Sequence, residues 1–327
     1  MSGTIFSWES SDPEKATKVI GLRRYYEFLS KRLYDEYEPT KIAKIPIQRN
    51  FLKRVDEWLG NFSSDELRYS AFRSIEYIFF AGKREYEELY RCADSINMRT
   101  WLRSKLGLKI FDNGYHRALK SAIRETWICP ATDSLKINEF LKITGLRGHS
   151  NGRADWRSMK RMGQLDGVKK FIREEKVERI VLLEDFVGSG RQYCDALETV
   201  ASIFDGPVLA LPLVICEEGC KSVRGLIKRL GRDNIELSPV LVVPPNCMIG
   251  PIQNIGEPRL FQALRNSMVD GYKTMKLTLN GEAYGFEWVG SLTVLYSNCP
   301  NNVPPIYHSY GKSEKTWKPI FPRGRRA

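Results

Sequence analysis

Residues 180–192 read IVLLEDFVGSGRQ: an apolar run, two adjacent carboxylates, two more apolar residues, then a Gly-Ser-Gly turn. Ile180–Leu183 has the character of a strand covered on both faces, the kind that parallel sheets use when helices pack on each side. Glu184 and Asp185 do not suit such a core, because an unpaired charge is expensive to bury. The chain meets both demands if the strand ends at the acids. They then stand at the carboxyl edge of an open α/β sheet, where ligands of such sheets gather. The following residues Tyr193, Ala196, Leu197, Val200 and Phe204 recur at helical spacing, so the Gly-Ser-Gly turn opens a helix.

The surrounding sequence repeats this alternation. From ETWICPATDS (125–134) onward short apolar strands alternate with amphipathic helices: PVLALPLVIC is a strand, Val223, Leu226, Ile227 and Leu230 mark a helix closed by Gly231, and IELSPVLVVPP is the next strand. Before residue 125 the spacing is helical. FLKRVDEWLG places Leu52, Val55 and Leu59 on one face, and Ser63 with Glu66 offers a capping box for a stripe of Leu67, Ala71, Phe72, Ile75, Ile78 and Phe79. Residues 281–327 are rich in Gly, Asn, Pro and aromatics and read as a β-rich cap ending in a basic tail. The expected organisation is a helical domain over 1–125 and an α/β domain over 126–327 that carries the cap. In the cap, Tyr284, Phe286, Trp288, Tyr296 and Tyr307 are candidates to stack on a base or to pack. Asn298, Asn301 and Asn302 are candidates to read base edges or to make turns.

The 327 residues carry a net charge of +12 with a pI near 9.3, which suits a polyanionic partner such as nucleic acid or a phosphorylated small molecule. Residues 141–173 hold nine basic residues against two acids, a net +7. Seven scattered cysteines without Cys-x-x-Cys pairs read as buried thiols rather than a zinc site. No apolar run is long enough for a membrane span and the first residues carry acids, so a cytoplasmic protein without a membrane partner is expected.

A glycine-rich turn at a helix N-terminus presents backbone N–H groups to an anion, and two carboxylates just before it can accept hydrogen bonds from vicinal ribose hydroxyls or hold Mg²⁺ against them. Together these describe a ribose 5-phosphate pocket; the bland alternative is an acidic strand end that caps the next helix. The sequence has no G-x-x-x-x-G-K-[ST] loop, and GSGRQYC lacks the third glycine of the dinucleotide fingerprint.

IVLLEDFVGSGRQ resembles the phosphoribosyl-diphosphate (PRPP) motif of type I phosphoribosyltransferases. FLKRVDEWLGNFSSDELRYSAF, CPATDS, EDFVGSG, LYSNCPNNVPPIY and WKPIFPR resemble, in that order, the phosphoribosyltransferase-like proteins of bacterial conflict systems, some of which accompany retrons or other antiphage modules. The resemblance implies a type I parallel sheet with Glu184 and Asp185 on the ribose and its Mg²⁺, and Val187, Gly188, Ser189, Gly190, Arg191 and Gln192 around the phosphate. Gly188 stands where purine-salvage enzymes often carry an acidic base, and Gln192 where a hydroxyl is usual.

It further implies a diphosphate loop at Asp133, Ser134 and Lys136, which reads equally as an ordinary strand-to-helix turn. The segment between them would be a mobile flap whose Arg153 and Arg157 assist catalysis; otherwise that segment is a solvated or nucleic-acid-binding basic loop. His149 in the same segment reads as a surface histidine. The function so implied is Mg²⁺-dependent glycosyl transfer or N-glycosidic cleavage on PRPP or a nucleotide, in an antiphage effector. The alternatives are a non-catalytic PRPP or nucleotide sensor that signals to a defence-system protein, and a nucleic-acid binding protein.

Overall fold

The computed structural model describes residues 4–10, 13–39, 48–132, 134–146, 165–277, 282–312 and 317–323. The chain is mixed α/β, and the strands among these residues are β1 (Phe79–Ala81), β2 (Thr126–Pro130), β3 (Arg179–Val187), β4 (Val208–Ile215), β5 (Ile235–Leu237), β6 (Leu241–Val242) and β7 (Thr293–Leu295). Two compact units form. One comprises residues 87–242; the other joins residues 1–86 to residues 243–327. The boundary expected near residue 125 therefore lies inside the first of these, because Trp101, Leu102 and Met98 are buried within it ahead of β2.

The 87–242 unit is built on a parallel sheet in the order β2-β3-β4-β5, with β6 also on β4. β4 is buried along its whole length, and β3 nearly so. One face carries Trp127, Cys129, Ile180, Leu182, Val208 and Ala210 under the helices Leu165–Glu174, Arg191–Ile203 and Glu217–Leu230. Pro212 sits in the middle of β4 and has no N–H to offer its neighbour. At that level the edge strand breaks between Leu237 and Leu241, and the Asn97 side chain covers the break by donating to Ser238 Oγ at 2.9 Å.

The other unit has an aromatic core. Trp58 Nε1 and Trp317 Nε1 both donate to the Ile306 carbonyl, at 2.7 and 2.9 Å, and Tyr307 lies 2.7 Å from Ser74 Oγ. Tyr37 donates to the Pro322 carbonyl at 2.8 Å. These bonds tie the first helices to the last residues of the chain. Arg54 lies buried over the rings of Tyr37, Phe51 and Phe321, where desolvation lowers its pKa to about 10. β1 and β7 pair in parallel as a two-stranded sheet. β7 is the only strand among the described residues of 281–327. The expected β-rich cap is instead a chain of turns and short helices held by its aromatics, since Pro300, Pro304 and Pro305 withhold the N–H groups a ladder needs. The helix Asp65–Ser74 is capped by Ser64, one residue beyond the expected Ser63.

Glycine placement separates two opposed effects. In a helix interior Gly→Ala gains about 1 kcal/mol, whereas overpacking a rigid core costs about 1–3 kcal/mol. A Cβ on Gly225 meets nothing within 4 Å, but on Gly271 it would lie 2.6 Å from Ile306 Cγ2 and 2.8 Å from Trp317 Cη2. Gly225→Ala is expected to raise the thermal midpoint and Gly271→Ala to lower it. Differential scanning fluorimetry on the pair checks both signs.

Candidate functional site

β2 and β3 run in register from Thr126↔Arg179 to Pro130↔Leu183, and the Ala131 N–H extends the ladder to the Leu183 carbonyl at 2.8 Å. The loop after β2 thus emerges beside Glu184. Thr132 donates to Glu184 through its backbone N–H (2.8 Å to Oε2) and its hydroxyl (2.6 Å to Oε1). Ser134 Oγ lies 2.7 Å from Glu184 Oε1, 2.8 Å from Asp185 Oδ1 and 2.8 Å from Thr132 Oγ1. Asp185 Oδ1 also accepts from the Phe186 N–H at 2.7 Å.

The acids are consequently covered: Glu184 is 3 % and Asp185 5 % exposed. Burial, and then the neighbouring Asp185 charge, push the Glu184 carboxyl well above its usual range; burial also raises Asp185. Two hydroxyl protons, one on Thr132 and one on Ser134, serve four oxygen–oxygen contacts among Thr132, Ser134, Glu184 and Asp185.

β3 leads into the turn Gly188–Ser189–Gly190 and the helix Arg191–Ile203, held to the sheet by the Tyr193 hydroxyl on the Leu182 carbonyl at 2.7 Å. Gly190 has φ +91°, a conformation that side chains with a Cβ rarely adopt. A Cβ there would also lie 2.9 Å from Ser222 Cβ and 3.3 Å from Gly219 Cα on the helix Glu217–Leu230, so this glycine is fixed by packing as well as by the turn. Val187 is buried, and its carbonyl accepts from the Cys216 N–H at 2.9 Å. Among the described residues no acceptor meets the N–H groups of Gly188, Ser189 or Gly190. Arg191 and Gln192 are exposed on the first helical turn. Free N–H groups at the positive end of a 13-residue helix suit an anion.

The structure brings Ser134 to the acids. It also adds Thr132, which was not singled out in the sequence although it stands two residues past the strand end. Lys136 Nζ pairs with Glu139 at 3.4 Å on its own helix. Asp133, Arg153, Arg157 and His149 lie outside the described residues. Tyr284, Phe286, Trp288, Tyr296 and Tyr307 belong to the other unit. Tyr284 and Tyr307 are core residues there, and Asn302 Nδ2 donates to the Phe286 carbonyl at 3.0 Å, so this asparagine stabilises a turn. All seven cysteines are free thiols.

Among the described residues no group of three or more His, Cys, Asp or Glu is placed to hold a metal, so what these residues offer a cation is the two carboxylates. Two hard oxygen donors fit Mg²⁺, which is usually held by one or two carboxylates plus substrate oxygens and water. Burial shifts both carboxyls up, and a bound cation would favour their charged forms.

An acid pair and a Gly-Ser-Gly turn at a helix N-terminus thus stand together toward the carboxyl end of the parallel sheet of an α/β protein. The chain belongs to the PRTase-CE family, whose model matches residues 55–323, and is phosphoribosyltransferase-like. No curated protein and no solved structure matches it. No helix among the described residues is long and apolar enough to cross a membrane.

A carboxyl whose pKa is raised on folding favours the folded state fully below its unfolded value, and that contribution is lost as pH rises through the folded value. Gln at position 184 does not titrate, and its amide can donate to the Thr132 and Ser134 hydroxyls, which accept as readily as they donate. Glu184→Gln is therefore expected to raise the thermal midpoint at pH 8 by roughly 2–6 °C, with the gain shrinking as pH approaches 4.5. Midpoints across pH 4.5–8.5 check the trend, and a pH-independent difference contradicts it.

Proposed function

We propose that the site binds the ribose 5-phosphate part of PRPP or a nucleotide and promotes glycosyl transfer or N-glycosidic cleavage at C1. The observation that carries the reading is the closeness in the chain of Glu184 and Asp185 to the N–H groups of Gly188–Gly190, which meet no acceptor among the described residues, within a member of the PRTase-CE family. The turn receives the 5-phosphate through backbone donors at the helix N-terminus, while the two carboxylates accept the O2 and O3 hydroxyls and fix C1 relative to the phosphate. Glu184 and Asp185 would hold Mg²⁺, which would supply positive charge against a departing diphosphate. Arg153 and Arg157 are assigned to the same leaving group. The chain then works by positioning and electrostatics, which suits a site without an evident nucleophile. An antiphage role for the reaction follows from the resemblance of the N-terminal, loop and C-terminal segments.

The covering of the acids bears on this reading. Thr132 and Ser134 hydroxyls occupy acceptor positions that a vicinal diol needs, so a ribose enters by replacing them hydroxyl for hydroxyl as the loop after β2 lifts. The same covering favours a second reading, a sensor that binds PRPP or a nucleotide without turnover and reports it through this loop.

Isothermal titration with PRPP and Mg²⁺ tests binding, and mass spectrometry of a nucleotide and PRPP panel tests turnover. Asp185→Asn is expected to weaken PRPP binding about 10- to 100-fold, the range of hydrogen bonds to charged groups, with the thermal midpoint kept or raised. A lower midpoint with unchanged affinity would make the carboxylate structural. Binding without turnover selects the sensor. Ser134→Ala is expected to tighten PRPP binding, since the loop then competes less well for the acids. Weaker binding would instead place Ser134 among the ligand's own donors, as the diphosphate-loop expectation had it.

A further inference from the structure

Within the 87–242 unit, the helices Arg99–Lys105 and Tyr115–Arg124 are joined by a turn whose ends are firmly pinned. The first helix closes on a Schellman pattern: Gly107, at φ +62°, donates to the Ser104 carbonyl at 3.2 Å, and Leu108 donates to the Arg103 carbonyl at 3.0 Å. A β-turn follows. Asp112 N–H donates to the Lys109 carbonyl at 3.0 Å, Lys109 N–H donates to Asp112 Oδ2 at 2.8 Å, and Tyr115 N–H donates to the Asp112 carbonyl at 3.1 Å.

The two central residues of that turn are Ile110 and Phe111, exposed at 55 % and 96 %. Turn centres favour Gly, Pro, Asn, Asp and Ser for conformational reasons, and Phe111 gains no packing here. A rigid turn thus holds an aromatic ring out in water.

The flanking sequence is strongly basic. Residues 99–124 contain seven basic residues and one acid, a net +6. Arg99 is paired with Asp94 and Lys105 with Glu236. Arg103, Lys109, Arg117 and Lys120 make no ion pair among the described residues, and of these Lys109, Arg117 and Lys120 are exposed. Arg117 and Lys120, three residues apart, share the exposed face of the second helix with His116.

We propose that this helical hairpin is a binding surface for single-stranded nucleic acid, with Phe111 as a stacking platform for a base and Lys109, Arg117 and Lys120 on the flanking phosphates. An exposed aromatic beside unpaired cations is the combination by which sequence-tolerant single-strand binders work. The alternative occupant of such a tip, an anionic lipid surface, suits it less. Only two apolar side chains are offered, and Asp112 adjoins them, so inserting the tip would carry a carboxylate toward the hydrocarbon, whereas a base stacked on one face of Phe111 leaves Asp112 in water.

The test uses the full chain with fluorescent oligothymidine and oligouridine of about 16 nucleotides, read by anisotropy over a salt series, and vesicles with and without anionic lipid, read by co-sedimentation. Phe111→Ala is expected to lower oligonucleotide affinity roughly 5- to 150-fold, the value of one stacked base. Phe111→Tyr is expected to retain the affinity, and neither change should move the thermal midpoint, because the ring packs on nothing. Arg117→Glu with Lys120→Glu is expected to weaken binding and flatten its salt dependence. The proposal is overturned if the chain does not bind either oligonucleotide, if it binds them unaffected by Phe111→Ala, or if Phe111→Ala abolishes vesicle binding and leaves oligonucleotide binding intact.

Discussion

The structure of the 87–242 unit turns on a conflict between a buried strand and the charge at its end. β3 is covered on both faces by apolar side chains, and it delivers Glu184 and Asp185 to a place water scarcely reaches. Buried carboxylates need partners. Here the partners come from the loop after β2, which two hydroxyls and one backbone N–H hold to the acids. The hold on that loop follows from this requirement, and so does the upward shift of both carboxyls.

The same acids make the site costly and therefore informative. A pair of carboxyls pushed up by burial destabilises the folded chain at neutral pH relative to an uncharged pair, and a protein gains nothing structural by keeping both. Next along the chain Gly190 holds a left-handed conformation that glycine adopts without strain, at a place where a Cβ would crowd Gly219 and Ser222. Features that oppose stability concentrate where a ligand would be bound. That pattern supports the ribose-phosphate reading independently of the family match.

Much of this was legible in the sequence. The apolar run before Glu184, the glycines after it and the helical spacing of Tyr193, Ala196, Leu197 and Val200 are local signals; the turn and helix stand where they place them, but the strand, expected to end at the acids, runs on through them to Val187. What escaped was contact across distance. Thr132 meets Glu184 over 52 residues of chain, and nothing local announces that its hydroxyl will cover a carboxylate expected to face solvent. The C-terminal region misled for a related reason. Its aromatics suggest strands by composition, but Trp317, Tyr307 and Phe321 are used to seat the first helices, and its prolines prevent a ladder. That residues 243–327 fold with residues 1–86 is a long-range fact no periodicity carries.

The central claim is that a sugar phosphate occupies the turn and displaces the loop hydroxyls from the acids. Amide hydrogen exchange with and without PRPP and Mg²⁺ reads both halves at once, because the relevant groups are backbone N–H donors. The account predicts opposite changes: slower exchange at Gly188, Ser189 and Gly190, whose N–H groups gain a phosphate, and faster exchange at Thr132, whose N–H loses the Glu184 carboxylate. Unchanged exchange at Gly188–Gly190 under saturating ligand would contradict it.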